Sequence, residues 1–438
     1  MICVTCKAPL EKLSESWNCA ACNVQYPIIL GNTPVMVREP RRYLASNVIK
    51  YWKYLSTLAP HTAHTDSYRA AITSNIALFE LLVESLTKSL SIQDIRHTIS
   101  AAPSEEHADT YSFNTAYLLR DWAGEKAGEH EIAVIKESVR RNLKKGGRAL
   151  VLGAGMARIA VEVSDLFDSV IAVDFEPNMA FFFDRLKASD FTVGEISLHN
   201  TLREEDQGRM VQVSTKHVDA HQLSTVQYAL ADARELPFED SYFDVIFSVY
   251  FTDVLPVHTL LPEARRVLAP GGKFIHFGPL EYHFPDTTQK YAFERLVQFF
   301  QEMNFDVRQS ESVELSHCRS AVNGSFRMYT NWIFTAIRKA DVVITLQTFL
   351  TVMEEVTYSM KGQLSNGEGD EIAVQIPHRP GLMISDAMLD ILKCIGSGCT
   401  VQEIIVRLEQ DEGYEKPDPE LTISFIDSLS RNGIIKVQ

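Results

Sequence analysis

The run from Arg148 to Ala160, RALVLGAGMARIA, constrains the chain more than any other segment. Ala149 to Leu152 is one short, uninterrupted apolar stretch, the pattern of a strand buried on both faces. The stretch enters a Gly-x-Gly turn, Gly153 and Gly155, and then a helix. Glycine at such a turn lets the backbone approach a ligand closely. A second apolar strand, Ser169 to Val173, ends at Asp174. An acid about 20 residues beyond the glycines is placed to accept hydrogen bonds from ribose hydroxyls. Strand, turn, helix, strand and acid in that order predict an α/β chain with a doubly wound, Rossmann-like sheet. Arg158 stands where a dinucleotide fingerprint has its third glycine. That disfavours a pyrophosphate seated on the helix N-terminus.

The pattern continues downstream. Asp232-Ala233-Arg234-Glu235-Leu236-Pro237-Phe238 follows a strand, Phe243 to Ser248 is another strand, and Leu268-Ala269-Pro270-Gly271-Gly272 is a turn before a third, Phe274 to Phe277. In this order the segments resemble the class I S-adenosylmethionine-dependent methyltransferases, over roughly residues 149–337. The resemblance implies S-adenosylmethionine as cofactor, which has no phosphate to cradle. It implies that Gly153, Gly155 and Asp174 hold it and that Asp232 contacts the adenine amine.

Two flanking segments narrow the resemblance. Leu119-Arg120-Asp121-Trp122 lies upstream and Phe277-Gly278-Pro279-Leu280-Glu281-Tyr282-His283-Phe284 downstream. Both are similar to the carnosine N-methyltransferase family, and Phe251-Thr252-Asp253 also fits. That resemblance implies that Arg120 holds the cofactor carboxylate, that Asp253 and His283 contact a substrate imidazole, and that Tyr329 binds substrate. Each residue also has a structural reading. His283 could be a core histidine, Asp253 a helix cap, Arg120 and Asp121 a surface ion pair, and Trp122 packing. The chain departs from the family in its N-terminal cysteines, in Glu281 where an apolar residue is usual, and in its C-terminal residues 341–438.

Four of the seven cysteines crowd the N-terminus as two Cys-x2-Cys pairs, Cys3, Cys6, Cys19 and Cys22. Each pair can aim two thiolates at one ion, and two pairs complete a tetrahedral site suited to structural zinc with no open position. A pair of disulfides or a redox dithiol is the alternative. With the following Tyr26-Pro27-Ile28 and Pro34-Val35-Met36, the segment resembles the Trm112-like zinc-ribbon family, whose members often accompany methyltransferases. Residues 39–110 carry apolar positions at helical spacing and read as a helical region before the methyltransferase core of 111–340.

At the C-terminus, Glu371 to Ile376 alternates as a strand does, and Ile384 to Ile395 reads as an amphipathic helix. Thr400 and Glu403 form a capping box, and a last helix reaches Arg431 before the strand Ile434 to Val437. This winged-helix-like order also resembles the PqqD-like peptide-recognition domain. The last helix carries too few cations to read DNA. The formal charge of −15 opposes nucleic acid generally. The apolar stretches, such as Tyr242 to Phe251, are too short to span a bilayer, and the first residues show no secretion signal, so a cytoplasmic enzyme without nucleic-acid or membrane partners is expected.

The expected function is methyl transfer to a ring nitrogen of a histidine imidazole, in a peptide or small molecule. The alternatives are methylation of a peptide carboxylate or another small nucleophile, and a non-catalytic binding protein. Fold alone does not choose among them.

Overall fold

A computed structural model describes residues 1–58, 65–100, 115–141, 143–341, 344–352, 359–362, 372–375, 383–384, 386–395, 398–410, 417–432 and 434–437. Strands β1 (Glu11–Lys12), β2 (Ser16–Asn18), β3 (Gln25–Ile29) and β4 (Thr33–Met36) form the cysteine-bearing segment. Helices α1 (Pro40–Thr57), α2 (Asp66–Thr87), α3 (Ile92–Ser100), α4 (Ala116–Trp122) and α5 (Lys126–Arg140) follow. The next strands are β5 (Arg148–Leu152), β6 (Ser169–Asp174), β7 (Phe191–Ile196), β8 (Gly208–Val213), β9 (Val226–Ala231), β10 (Phe243–Val249), β11 (Leu268–Gly278), β12 (Phe305–His317) and β13 (Arg327–Arg338). Helices α6 (Arg158–Val163), α7 (Pro177–Ala188), α8 (Ala220–Thr225), α9 (Val257–Val267) and α10 (Phe293–Glu302) connect them.

The central sheet runs β9-β6-β5-β10-β11-β13-β12, parallel except for β13, which is antiparallel to both of its neighbours. Strand order reverses between β5 and β10, so the crevice beyond their C-terminal ends is where an open α/β sheet binds ligands. The last four residues of β5 and the last five of β10 are buried, as helices covering both faces require. The Pro-Gly-Gly turn before Phe274 is an irregularity inside one long strand. Phe243 pairs with Leu268, then Val245 with Lys273, and Gly271 (φ +80°) takes the left-handed bend between.

The cysteine-bearing segment does not stand apart from this sheet. Val35 and Met36 of β4 pair in parallel with Leu230 and Ala231 of β9, so the first strands continue the main sheet and cover what would be its edge. Its own core is tiny, and the shared sheet gives it a wall to pack on. Helices α1 and α2 and the β7–β8 hairpin form a cap, with Leu78, Phe79 and Leu82 of α2 buried in the same core as Phe182 and Val193. At 22 residues α2 is the one helix, among the described residues, long and apolar enough to cross a membrane, although Tyr242 to Phe251 is not.

The C-terminal residues build a separate apolar cluster on Leu350, Ile391, Ile404 and Ile426. Strand Phe349–Val352 lies between Cys399–Thr400 and Ile435–Val437. Three helices, Asp386–Ile395, Val401–Glu409 and Pro419–Arg431, pack on it. Thr400 and Glu403 make both halves of the capping box. A strand forms at Ile372–Gln375, whereas much of the polar stretch that precedes it in sequence, 363–371, lies outside the described residues.

Candidate functional site

The turn after β5 is built for close approach. Gly153 (φ +56°) sits under the Phe251 ring, where a Cβ would come within 2.1 Å of it. Gly155 (φ +53°) faces open space, with nothing within 4 Å of where its Cβ would point. The backbone N–H of Gly155 donates to Asp174 Oδ2 at 2.8 Å, and Glu176 N–H donates to Oδ1 at 2.9 Å. Burial pushes the Asp174 carboxyl up to about 6, against those two donors. Tyr228 steadies the turn from below, its hydroxyl donating to Gly155 O at 2.7 Å. Helix α1 steadies the following loop. Tyr43 donates to Phe175 O, and Lys50 pairs with Glu176 at 2.8 Å.

Arg158 explains the missing third glycine. Its guanidinium is buried, bonded to the Asp121 carbonyl, to Glu129 at 3.0 Å and to Glu162 at 2.9 Å. A cation tied into three elements occupies the helix start that a pyrophosphate would need, while the open face at Gly155 remains free. The residues therefore fit a nucleoside cofactor without phosphate. Trp122 is packing: fully buried, it donates from Nε1 to Met156 O at 3.1 Å.

Arg120 is no surface ion pair. Its side chain is buried beside Asp121 (2.7 Å) and Glu131 (3.5 Å), and the guanidinium lies 5.5 Å from the Tyr117 ring and 5.7 Å from the Tyr250 ring. Burial opposes its charge, and the two carboxylates more than restore it. Tyr250 follows β10 directly, so Arg120 faces the crevice.

Asp253 and His283 meet across the same crevice. The His283 backbone N–H donates to the Asp253 backbone carbonyl at 3.0 Å, and the Glu281 backbone N–H donates to Asp253 Oδ2 at 2.9 Å. Burial raises the Asp253 carboxyl above the ordinary range, countered by the Glu281 N–H and the nearby His283. Tyr329 joins them by donating its hydroxyl to Glu281, while Arg327 donates to the Tyr329 oxygen at 3.1 Å. Beneath the Asp253 loop runs a buried chain, Ser248 to Thr252 at 2.7 Å and Thr252 to His276 Nδ1 at 2.9 Å. Burial holds His276 down at about 3, so it stays neutral there. Asp232 lies at the end of β9 but is engaged by its neighbour Arg234 at 2.6 Å.

Three residues escaped sequence reasoning: Glu131, Tyr250 and His317. The Glu131 carboxylate holds His317 Nδ1 at 2.9 Å and the Cys318 N–H at 2.8 Å. The His317 ring lies 4.4 Å from Tyr250 and 5.5 Å from Tyr329. It therefore links the Arg120 end of the crevice to the Tyr329 end. Tyr250 was findable, since it directly follows the fourth parallel strand. Glu131 and His317 are 186 positions apart and carry no spacing signal.

Comparison with known proteins agrees with this architecture. A family model described as a methyltransferase domain matches residues 200–276. The sheet has the Rossmann-like fold of a class I methyltransferase. A carnosine N-methyltransferase of Rattus norvegicus is 28% identical over 199 residues, 40% of this chain and 48% of that protein. One of Dictyostelium discoideum is 23% identical over 226 residues, 46% of this chain and 48% of that protein. A ubiquinone/menaquinone biosynthesis C-methyltransferase of Rickettsia massiliae is 37% identical over 91 residues, 20% and 35% of the two chains. The chain spans about half the length of the carnosine N-methyltransferases it matches.

The cysteines lie outside this crevice. Cys3, Cys6, Cys19 and Cys22 place their sulfurs mutually within 4.8 Å. Cys3–Cys22 is 3.5 Å, Cys6–Cys19 is 3.4 Å and Cys6–Cys22 is 3.7 Å. These are too long for disulfides and close to the edge of about 3.8 Å that a tetrahedron of Zn–S bonds near 2.3 Å requires. The set fits one zinc with all four positions filled by protein. Metal analysis should find about one zinc per chain. Cys19→Ser should lose it and expose the ribbon to protease. Retention of a full equivalent of zinc by that variant would contradict the assignment.

Proposed function

We propose that this chain transfers a methyl group from S-adenosylmethionine to a ring nitrogen of a histidine imidazole in a peptide. The observation that carries the reading is the meeting of buried Asp253 with His283 and, through Glu281, with Tyr329 at the switch-point crevice. The partial similarity to carnosine N-methyltransferases supports the imidazole, and the PqqD-like order of the C-terminal residues supports a peptide.

When bound, S-adenosylmethionine supplies an electrophilic methyl on a sulfonium. Arg120 holds the cofactor carboxylate, Asp174 accepts from the ribose hydroxyls, and the Gly153–Gly155 turn lets the backbone come close. Asp232 receives the adenine amine. The work left to the chain is positioning, because methyl transfer is an in-line displacement between two held reactants. An imidazole nitrogen attacks only with its lone pair free. Asp253 accepts a hydrogen bond from the opposite ring N–H, which fixes the tautomer and stabilises the imidazolium as it forms. His283 and Tyr329 set the plane of the ring. The product loses its extra proton after transfer, so no strong base is required.

Asp174 gives cofactor binding a pH dependence. Ribose hydroxyls donate to its ionised form. Its carboxyl is raised to about 6, so the acceptor is present above that pH and lost below it. Cofactor affinity should fall by about tenfold from pH 7 to pH 5 for a group of this pKa. Asp174→Asn should bind weakly at both and show no such step. Calorimetric titration across that range checks it, and a flat profile in the unaltered protein would contradict the role of Asp174.

The proposal as a whole is tested by offering methyl-labelled cofactor with histidine peptides, free histidine and carnosine. Label should enter histidine-bearing acceptors and spare versions in which glutamine replaces the histidine. Equal labelling of both would sink the reading.

A further inference from the structure

Beside Asp232, whose partner Arg234 lines it, a cavity of about 740 Å³ opens where the cysteine-bearing segment, the α/β domain and the last helix meet. Its chemistry runs against that of the chain. The formal charge is −15 overall, yet among the described residues lining this cavity seven are cationic and five acidic. The volume is that of a ligand site.

Two of the cations are built in. Arg265 and Arg338 are nine-tenths buried, both fixed by Asp341, with Arg338 at 2.7 Å. Each leaves a buried Nε–H with no partner among the described residues. An unmet buried donor costs about 1–3 kcal/mol, more on a charged group, so a ligand acceptor here is favoured. Burial pushes the Arg265 guanidinium below its usual range, and Arg338 and Arg431 push it further against Asp341. The cations at the rim are paired but exposed by contrast. Arg431, about half exposed, pairs with Asp427 at 2.8 Å and reaches Asp240 at 3.5 Å, and Arg38 pairs with Glu235 at 2.6 Å while more than half exposed. Exposed pairs contribute about 0–1 kcal/mol, so either can exchange its partner for a ligand carboxylate at small cost.

We propose that this cavity docks an acidic segment of the peptide substrate, with Arg265 and Arg338 at its base and Arg38 and Arg431 capturing carboxylates at its rim. Three separate parts of the chain contribute the cations, which suits an extended ligand better than a single compact anion. The preference for carboxylates stands on the cavity, whereas the identity of the ligand as substrate rests on the peptide reading given above. Docking here would hold one end of the peptide while the other reaches the crevice, and so raise its effective concentration there.

The experiment uses the full zinc-loaded chain and a fluorescein-labelled hexaglutamate peptide, read by anisotropy. Saturable binding is expected, weakening steeply with added salt. The double variant Arg38→Glu, Arg431→Glu should weaken it by about tenfold or more, with melting temperature and cofactor affinity unchanged. Arg203→Glu, an equally exposed reversal elsewhere, should leave it intact. Absence of saturable binding, or equal binding by the double variant, would overturn the proposal. Tighter binding of inorganic pyrophosphate than of hexaglutamate would overturn the assignment to a peptide. Binding is measured without turnover, so a failure of histidine methylation leaves this result standing on its own.

Discussion

Asp253→Asn should lower kcat by about 10²- to 10³-fold, within the range seen when a group handling a proton in the transition state is lost. Cofactor affinity should stay nearly unchanged. The asparagine keeps the volume and can still accept the Glu281 N–H that Oδ2 accepts now. What it lacks is the charge. The imidazolium that forms during transfer would face a neutral amide, and the substrate tautomer would no longer be fixed. Asp253 and the substrate imidazole also set the acid limb of the rate profile together. Burial raises the Asp253 carboxyl, so its useful form disappears as pH falls through a value above the ordinary carboxylate range. The substrate imidazole gains its proton nearby, at about 6.5 when unperturbed. Activity should therefore rise with pH through the weakly acidic range and then level off. In the variant only the imidazole step should remain. A variant with unaltered kcat, or with kcat lost in step with cofactor affinity, would remove Asp253 from the chemistry.

Arg158→Ala should cost about 3–5 kcal/mol of stability, the expected penalty for removing one partner of a buried ionic network. The lower end is favoured for a structural reason. Glu162 keeps Lys136 as a second partner at 2.6 Å, and Glu129 is about one-third exposed and can take water. The Asp121 carbonyl has no such substitute close by and would lose its guanidinium donor. Arg158→Met, which restores volume without charge, should recover only part of the loss. Denaturant unfolding monitored by fluorescence checks both. A change under about 1 kcal/mol, the size of an exposed pair, would mean that the network is ornamental.

The sequence made the central sheet and its glycine turn legible because both are local. Gly153, Gly155 and Asp174 fall within one strand-turn-helix-strand unit, and their spacing carries the geometry. The cysteine pairs were legible for the same reason. Four features were not. The pairing of Val35 with Leu230 joins residues far apart in sequence and makes the ribbon part of the main sheet. Strand pairing between distant segments leaves no periodic mark in either one. The link from Glu131 to His317 is also long-range, a buried carboxylate on a helix meeting the end of a strand. Arg158 departs visibly from a glycine pattern, but its role depends on the positions of Glu129 and Glu162, which spacing does not carry. Glu281 is a departure too. The structure makes it the acceptor for the Tyr329 hydroxyl, which is how Tyr329 is drawn toward Asp253.

The atom that receives the methyl group distinguishes imidazole methylation from every alternative. The direct measurement supplies cofactor carrying a ¹³C-methyl group and a histidine peptide with an acidic segment, then locates the new methyl by carbon–proton correlation in the product. The predicted result is a methyl coupled to imidazole ring carbons and stable to mild alkali. A methyl found on a carboxylate, released by alkali, or on a thiol would contradict it.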